Sequence, residues 1–100
     1  MLKLPPAVRL NEVPQLWAQM EGALRAEAIQ VGNAAGTVVG LNAAPLQEFD
    51  SGALTLLLSA SRLCERLGLR LEVHEVPHKL QELARVYGVA ELLWSTQDSH

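Results

Sequence analysis

Four features of this chain of 100 residues could carry chemistry. They are the pair His74 and His78, the single cysteine Cys64, the cluster Gly32-Asn33-Ala34-Ala35-Gly36, and the run Glu48-Phe49-Asp50-Ser51-Gly52-Ala53-Leu54-Thr55. Two histidines four apart have metal-ligand spacing when both lie on one helix. Pro77 stands between them, so they straddle a strand-to-helix junction and read as two surface histidines, and no metal is expected. Cys64 falls on the apolar face of a helical pattern and reads as an inert buried thiol. No histidine with a supporting acid is spaced to activate a nucleophile. The glycine cluster lacks the following Lys-Ser/Thr of a phosphate-binding loop, and no G-x-G-x-x-G opens a helix. Direct ATP hydrolysis is therefore not expected, nor is a cofactor, and no catalytic set emerges.

Asp50-Ser51-Gly52 remains. Here a polar loop turns into a strongly apolar helix. Ser51 is the expected N-cap, its oxygen accepting from an unpaired N–H of the first turn, where the helix also carries positive potential. A hydroxyl held there is either a plain cap or a recognition point within reach of a partner or a kinase. Leu54, Thr55 and Leu58 lie beside the core stripe rather than in its centre, and Leu46 and Phe49 add apolar groups just before. A helix apolar on more than one face is deeply buried or offers a patch to a partner.

The elements that position this loop follow from periodicity. Leu2 to Val8 reads as a short edge strand ending at Pro5-Pro6, since proline cannot donate to a ladder. Asn11 is the expected cap of a first helix, with Val13, Leu16, Trp17, Met20, Ala23 and Leu24 as its apolar stripe and an end between Arg25 and Gln30. Ala28 to Val31 fits either an extended segment or a frayed helix end. Thr37 to Leu41 reads as a central strand buried on both faces, and 42–50 as loop. Gly52 to Leu67 is the clearest helix, with Ala53, Leu56, Leu57, Ala60, Leu63, Cys64 and Leu67 inward and Gly68 as its stop. Leu69 to His74 alternates as a strand wet on one face. Pro77 opens a third helix with Leu80, Leu83, Ala84 and Tyr87 inward, ended by Gly88. An apolar coda, Val89 to Trp94, precedes a polar tail. Alternating strands and helices predict an α/β fold, a small mixed or parallel sheet with helices mainly on one face. Residues 1–94 are expected to form one domain and 95–100 a flexible tail.

Bulk composition narrows the partners. Hydrophobic residues make up 49% of the chain, enough for a core without staples, and charged residues 19%, with a net charge of −3. That balance disfavours nucleic acid, which selects a basic stripe, and direct docking on anionic lipid. One cysteine allows no internal disulfide and suits a reducing compartment. The N-terminus has no apolar stretch before a cleavage site, and no run reaches the length of a bilayer span. A cytoplasmic domain is the expectation.

The residues also resemble a known family. Asp-Ser/Thr-x-Gly/Ala-Leu followed by a leucine-rich helix, a glycine turn, a strand and a last helix looks like a STAS domain. More closely, it resembles the small STAS subunit of the Mla, or toluene-tolerance type, phospholipid ABC transporter of Gram-negative bacteria. There the loop typically reads Asp-Thr-Gly-Gly-Leu; here it is Asp50-Ser51-Gly52-Ala53-Leu54. The likeness runs through Leu56-Leu57-Leu58, Leu69 to His74 and Val76-Pro77-His78-Lys79-Leu80, continues to Val89, and extends to Leu16-Trp17 and Val38 to Asn42. It implies a non-catalytic subunit that binds the transporter's ATPase and supports its assembly and activity, peripheral to the inner membrane through the transporter alone. Carried over by position, Asp50, Ser51, Gly52, Leu54 and Thr55 are the partner-binding residues. Anti-sigma-factor antagonists share the fold and pattern Asp-Ser-Ser-Gly-Leu, with the second serine phosphorylated. Gly52 takes that place here, which leaves Ser51 as the candidate phosphoacceptor of that alternative. A nucleotide- or small-ligand-binding STAS module is a third class and needs a pocket at the same loop. STAS domains normally begin one strand earlier, so the exposed edge is expected to be covered by a second copy, giving a homodimer, or by a rearranged segment. The connection from Arg25 to Gly36 is also longer than the family implies.

Overall fold

The computed structural model describes residues 2–33, 36–90 and 93; Trp94 and the expected tail at 95–100 lie outside them. The expected strand at the N-terminus is two strands, β1 (Leu2–Lys3) and β2 (Ala7–Val8). Pro5-Pro6 separates them, because neither proline has an N–H to continue the first ladder. The Pro6 carbonyl instead accepts from both Gln47 N and Glu48 N, at 2.8 and 2.9 Å. That pairing creates β4 (Glu48–Phe49) inside what reads from sequence as loop.

β1, β3 (Val38–Asn42) and β5 (Arg70–His74) form one sheet in that spatial order, and every pair is parallel. β2 and β4 form a second, two-stranded parallel ladder, Ala7 opposite Glu48 and Val8 opposite Phe49. Val39 and Leu41 of β3 and Leu71 and Val73 of β5 are buried beneath the helices. β3 is not covered on both faces as expected: Val38, Gly40 and Asn42 alternate with its buried residues and stay half-exposed. The helices pack on one side, which leaves the other face to Glu72 and its ion-pair neighbours Arg70 and His74, at 3.8 and 3.3 Å.

A 3-10 turn at Leu10–Glu12 leads into α1 (Val13–Asn33). Asn11 lies inside that turn and is not a cap. α1 runs beyond the expected end, taking in Ala28 to Val31 and Gly32. Val31 packs against the core and its carbonyl accepts from Gly36 N at 2.8 Å, so the last turns are anchored despite a glycine. Only Val13 and Leu24 of the α1 stripe are buried; Leu16, Trp17 and Met20 are half-buried and Ala23 is exposed.

α2 (Ser51–Arg66) is the spine of the core, burying Leu56, Leu57, Ala60, Leu63 and Cys64 as its periodicity predicts. Gly68 ends it in the left-handed region, φ +77°, with Leu69 N donating to Cys64 O and Gly68 N to Glu65 O. Leu67 is the cap residue of that turn and is exposed, not inward. The same two-bond closure ends α3 (His78–Val86) at Gly88, φ +73°. Leu80 and Ala84 of α3 are buried. Tyr87 sits on the cap and is 58% exposed, a correction to its expected inward position; Val89, bonded back to Ala84 O, packs on the core in its place.

Candidate functional site

The head of α2 is organised by a carboxylate rather than by a hydroxyl. Asp50, in extended conformation, is the N-cap, and Ser51 is the first helical residue. Asp50 Oδ1 accepts from Gly52 N and from Leu10 N, both at 2.8 Å. Aspartate and serine cap equally well in isolation. What selects Asp50 is Leu10 N, a donor forty positions away in sequence, which a longer side chain one residue earlier can reach while still capping. The Asp50 main chain completes the junction, its N–H donating to Val8 O at 3.3 Å and its carbonyl accepting from Ala53 N at 3.1 Å. An exposed ion pair, Arg9 to Glu48 at 3.0 Å, lies alongside.

Gly52 is buried against this turn. A Cβ there would meet Leu10 N at 2.5 Å and the Arg9 carbonyl carbon and Leu10 Cα at 2.7 Å. The position is thus a close approach of two backbones, which only glycine permits.

The sequence-derived site residues separate accordingly. Asp50 and Thr55 are exposed and Ser51 is half-buried. Leu54 is 3% exposed and belongs to the core, as does Leu46; Phe49 and Leu58 are half-buried against it. The apolar flank of the helix is therefore taken up inside the domain, and Leu54 and Gly52 offer no side chain to a partner. Ser51 and Thr55 face out one turn apart, Thr55 Oγ1 donating to Ser51 O at 3.4 Å. Leu10, 52% exposed, stands beside them and was not identified from sequence. No local pattern could have placed it there, because its neighbourhood is set by the bond to Asp50.

The other chemical candidates are dispersed. His74 pairs with Glu72 and His78 with Glu82, at 3.3 and 3.2 Å. Among the described residues no group of three or more His, Cys, Asp or Glu could hold a metal ion. Cys64 is buried, and desolvation pushes its thiol pKa up, away from the reactive thiolate. Three grooves of about 500, 260 and 330 Å³ open on the surface, and none is lined by a residue between 50 and 55.

The profile of the family described as Mlab, STAS domain, matches residues 1–94. The chain belongs to the MlaB-type STAS domains. The α/β architecture with three helices and small parallel sheets agrees with that fold. No curated protein and no solved structure matches the chain. STAS domains are generally non-enzymatic protein-interaction modules. In this STAS domain the loop before α2 is tied down at both ends, through Asp50 N to Val8 O and through Asp50 Oδ1 to Leu10 N. No helix among the described residues is long and apolar enough to cross a membrane.

Proposed function

We propose that this STAS domain is a non-catalytic subunit that docks on the ATPase of a phospholipid-trafficking ABC transporter, in the cytoplasm, and supports its assembly and activity. The observation that carries the reading is the clamp at Asp50. It holds the head of α2 rigidly against the Leu10 turn and leaves Ser51, Thr55 and Leu10 outward as one small surface, two hydroxyls beside an apolar side chain. Preorganisation of this kind lowers the ordering cost of association. A hydroxyl pair with an apolar neighbour suits a protein partner better than a charged ligand.

Pull-down against the ATPase of an Mla-type transporter from the same organism tests it. Thr55→Arg and Leu10→Glu place bulk or charge on exposed positions, so each is expected to stay folded and to lose the ATPase. Retention of binding by both variants would place the interface elsewhere. β1, two residues long at the sheet edge, is the element through which a second copy would add; light scattering of the purified domain reads whether it does.

Phosphoswitching of the anti-sigma-antagonist kind is disfavoured by the contact at Gly52. The second position of the Asp-Ser-Ser-Gly-Leu pattern, where the modified serine stands, is here pressed on the Arg9-Leu10 backbone. Only Ser51 is left to accept phosphate. Intact mass after incubation with a cognate kinase and ATP distinguishes the two readings: a gain of one phosphate on Ser51 supports the switch.

A further inference from the structure

The outward side of α2 does not end at Thr55. Ser51, Thr55, Ser59, Arg62 and Arg66 follow at intervals of four, four, three and four residues and so share one face of the helix. At 1.5 Å per residue that stripe is about 22 Å long. Its far half borders a groove of about 500 Å³ between α1 and α2, lined by Trp17, Ser59, Arg62, Glu65 and Arg66. Arg9, Arg25 and Arg70 each have a carboxylate within 3.8 Å. Arg62, Arg66 and Arg85 have none among the described residues; Arg85 stands apart on α3, and Glu65, beside the other two, pairs with neither. Arg66 suits the carbonyl end of α2, whereas Arg62, a turn earlier, gains little there. In a chain of net charge −3, two exposed unpaired guanidinium groups one turn apart, over a half-buried tryptophan, form a local cationic edge.

From this continuity and charge we infer that the docking surface runs the length of α2, and that its Arg62–Arg66 end receives an acidic segment of the partner. Two carboxylates one helical turn apart would match the guanidinium spacing, with an aliphatic or aromatic side chain seated on Trp17. The inference rests on the proposed ATPase docking and adds a second, electrostatic contact to it. Exposed charges at an interface rim act mainly on association rate and on its salt dependence.

The experiment compares the parent domain, Arg62→Glu/Arg66→Glu and Thr55→Arg for binding to the purified ATPase by biolayer interferometry at 50 and 500 mM NaCl. Circular dichroism establishes that each variant is folded. Both arginines are exposed, and Arg62→Gln/Arg66→Gln serves if the reversal destabilises α2. The double reversal is expected to weaken binding at least tenfold at 50 mM NaCl, chiefly in the association rate. The difference is expected to shrink at 500 mM, where the screening length falls to about 4 Å. Parent binding with no loss in the double variant overturns the inference and leaves the docking reading standing. A parent that does not bind the ATPase removes both. Vesicles containing anionic phospholipid form the last arm. If the arginine variants lose vesicle binding yet keep the ATPase, the cationic edge serves lipid and the inference is wrong.

Discussion

Gly52→Ala separates the close approach at the head of α2 from ordinary helix chemistry, because the two predict opposite signs. Helix propensity alone favours alanine by up to about 1 kcal/mol. The structure opposes it. The new Cβ would lie 2.5 Å from Leu10 N and 2.7 Å from Arg9 C, about 1 Å inside normal contact. Both neighbours are backbone, so relief requires moving the Leu10 turn or the start of α2. Overpacking of this kind costs about 1–3 kcal/mol. Moving the turn also lengthens the 2.8 Å bond from Leu10 N to the Asp50 carboxylate, a charge-assisted contact worth about 1.5–3 kcal/mol when lost. Set against the propensity gain, a net loss of about 2–4 kcal/mol is expected, or a fall in Tm of about 10–25 °C for a domain of this size. Urea unfolding followed by far-UV circular dichroism reads the difference. Gly22→Ala is the matched control: a Cβ at Gly22 on α1 meets nothing within 4 Å, so this change is expected to stabilise by up to about 1 kcal/mol. A Gly52→Ala domain as stable as the parent would refute the backbone contact, and with it the argument that no serine can stand at that position.

Further outcomes follow from other parts of the fold. Asp50→Ala removes the cap and the tie to Leu10 and is expected to cost about 2–4 kcal/mol by thermal melting, while Asp50→Asn, which keeps an acceptor, should lose less. Leu54→Glu buries a carboxylate at a site 3% exposed and is expected to unfold the domain, a loss above about 4 kcal/mol visible as absent near-UV ellipticity. Cys64 should react with a thiol reagent at neutral pH only as fast as the domain opens: burial raises its pKa, so the thiolate fraction is small in the native state and rises with urea. The amides of Leu4 and Leu10 should gain protection together, and later than those of α1, in pulse-labelled hydrogen exchange.

Where the chain's signals are local, its fold was legible. α2, β5 and the stops at Gly68 and Gly88 follow from period and from the left-handed backbone that glycine adopts. The parallel pairing followed from alternation of strands and helices. The departures share a cause in long-range contacts. Ser51 and Asp50 are equivalent caps until Leu10 N is brought beside them. The interruption at Pro5-Pro6 is evident in sequence, but the resumption as β2 depends on the Pro6 carbonyl meeting Gln47 and Glu48. α1 outlasts its expected end because Val31 finds the core. Leu54 reads as a flank residue on a helical wheel, yet the core wraps far enough around α2 to enclose it. Of the loop residues singled out by pattern, Asp50, Ser51 and Thr55 keep an outward aspect, and Leu10 joins them.

The segment from Leu2 to Leu10 is bonded along its length to the segment from Leu41 to Asp50. The contacts are Leu2 with Leu41, Lys3 with Asn42, Leu4 N to Asn42 O, Pro6 with Gln47 and Glu48, Ala7 with Glu48, Val8 with Phe49, and Leu10 with Asp50. The offset between partners stays near forty residues throughout, shifting only from 39 in β1–β3 to 41 in β2–β4 across the prolines, so the two segments close like a zip. Most of the intervening chain is α1, which can form from its own sequence and turn a long floppy loop into a rigid strut with short ends, reducing the entropy lost at closure. The Asp50 clamp is the last tooth of that zip. The proposed docking surface would therefore come into being only when the first tenth of the chain has found its partner strand, which would make competence to bind a readout of completed folding.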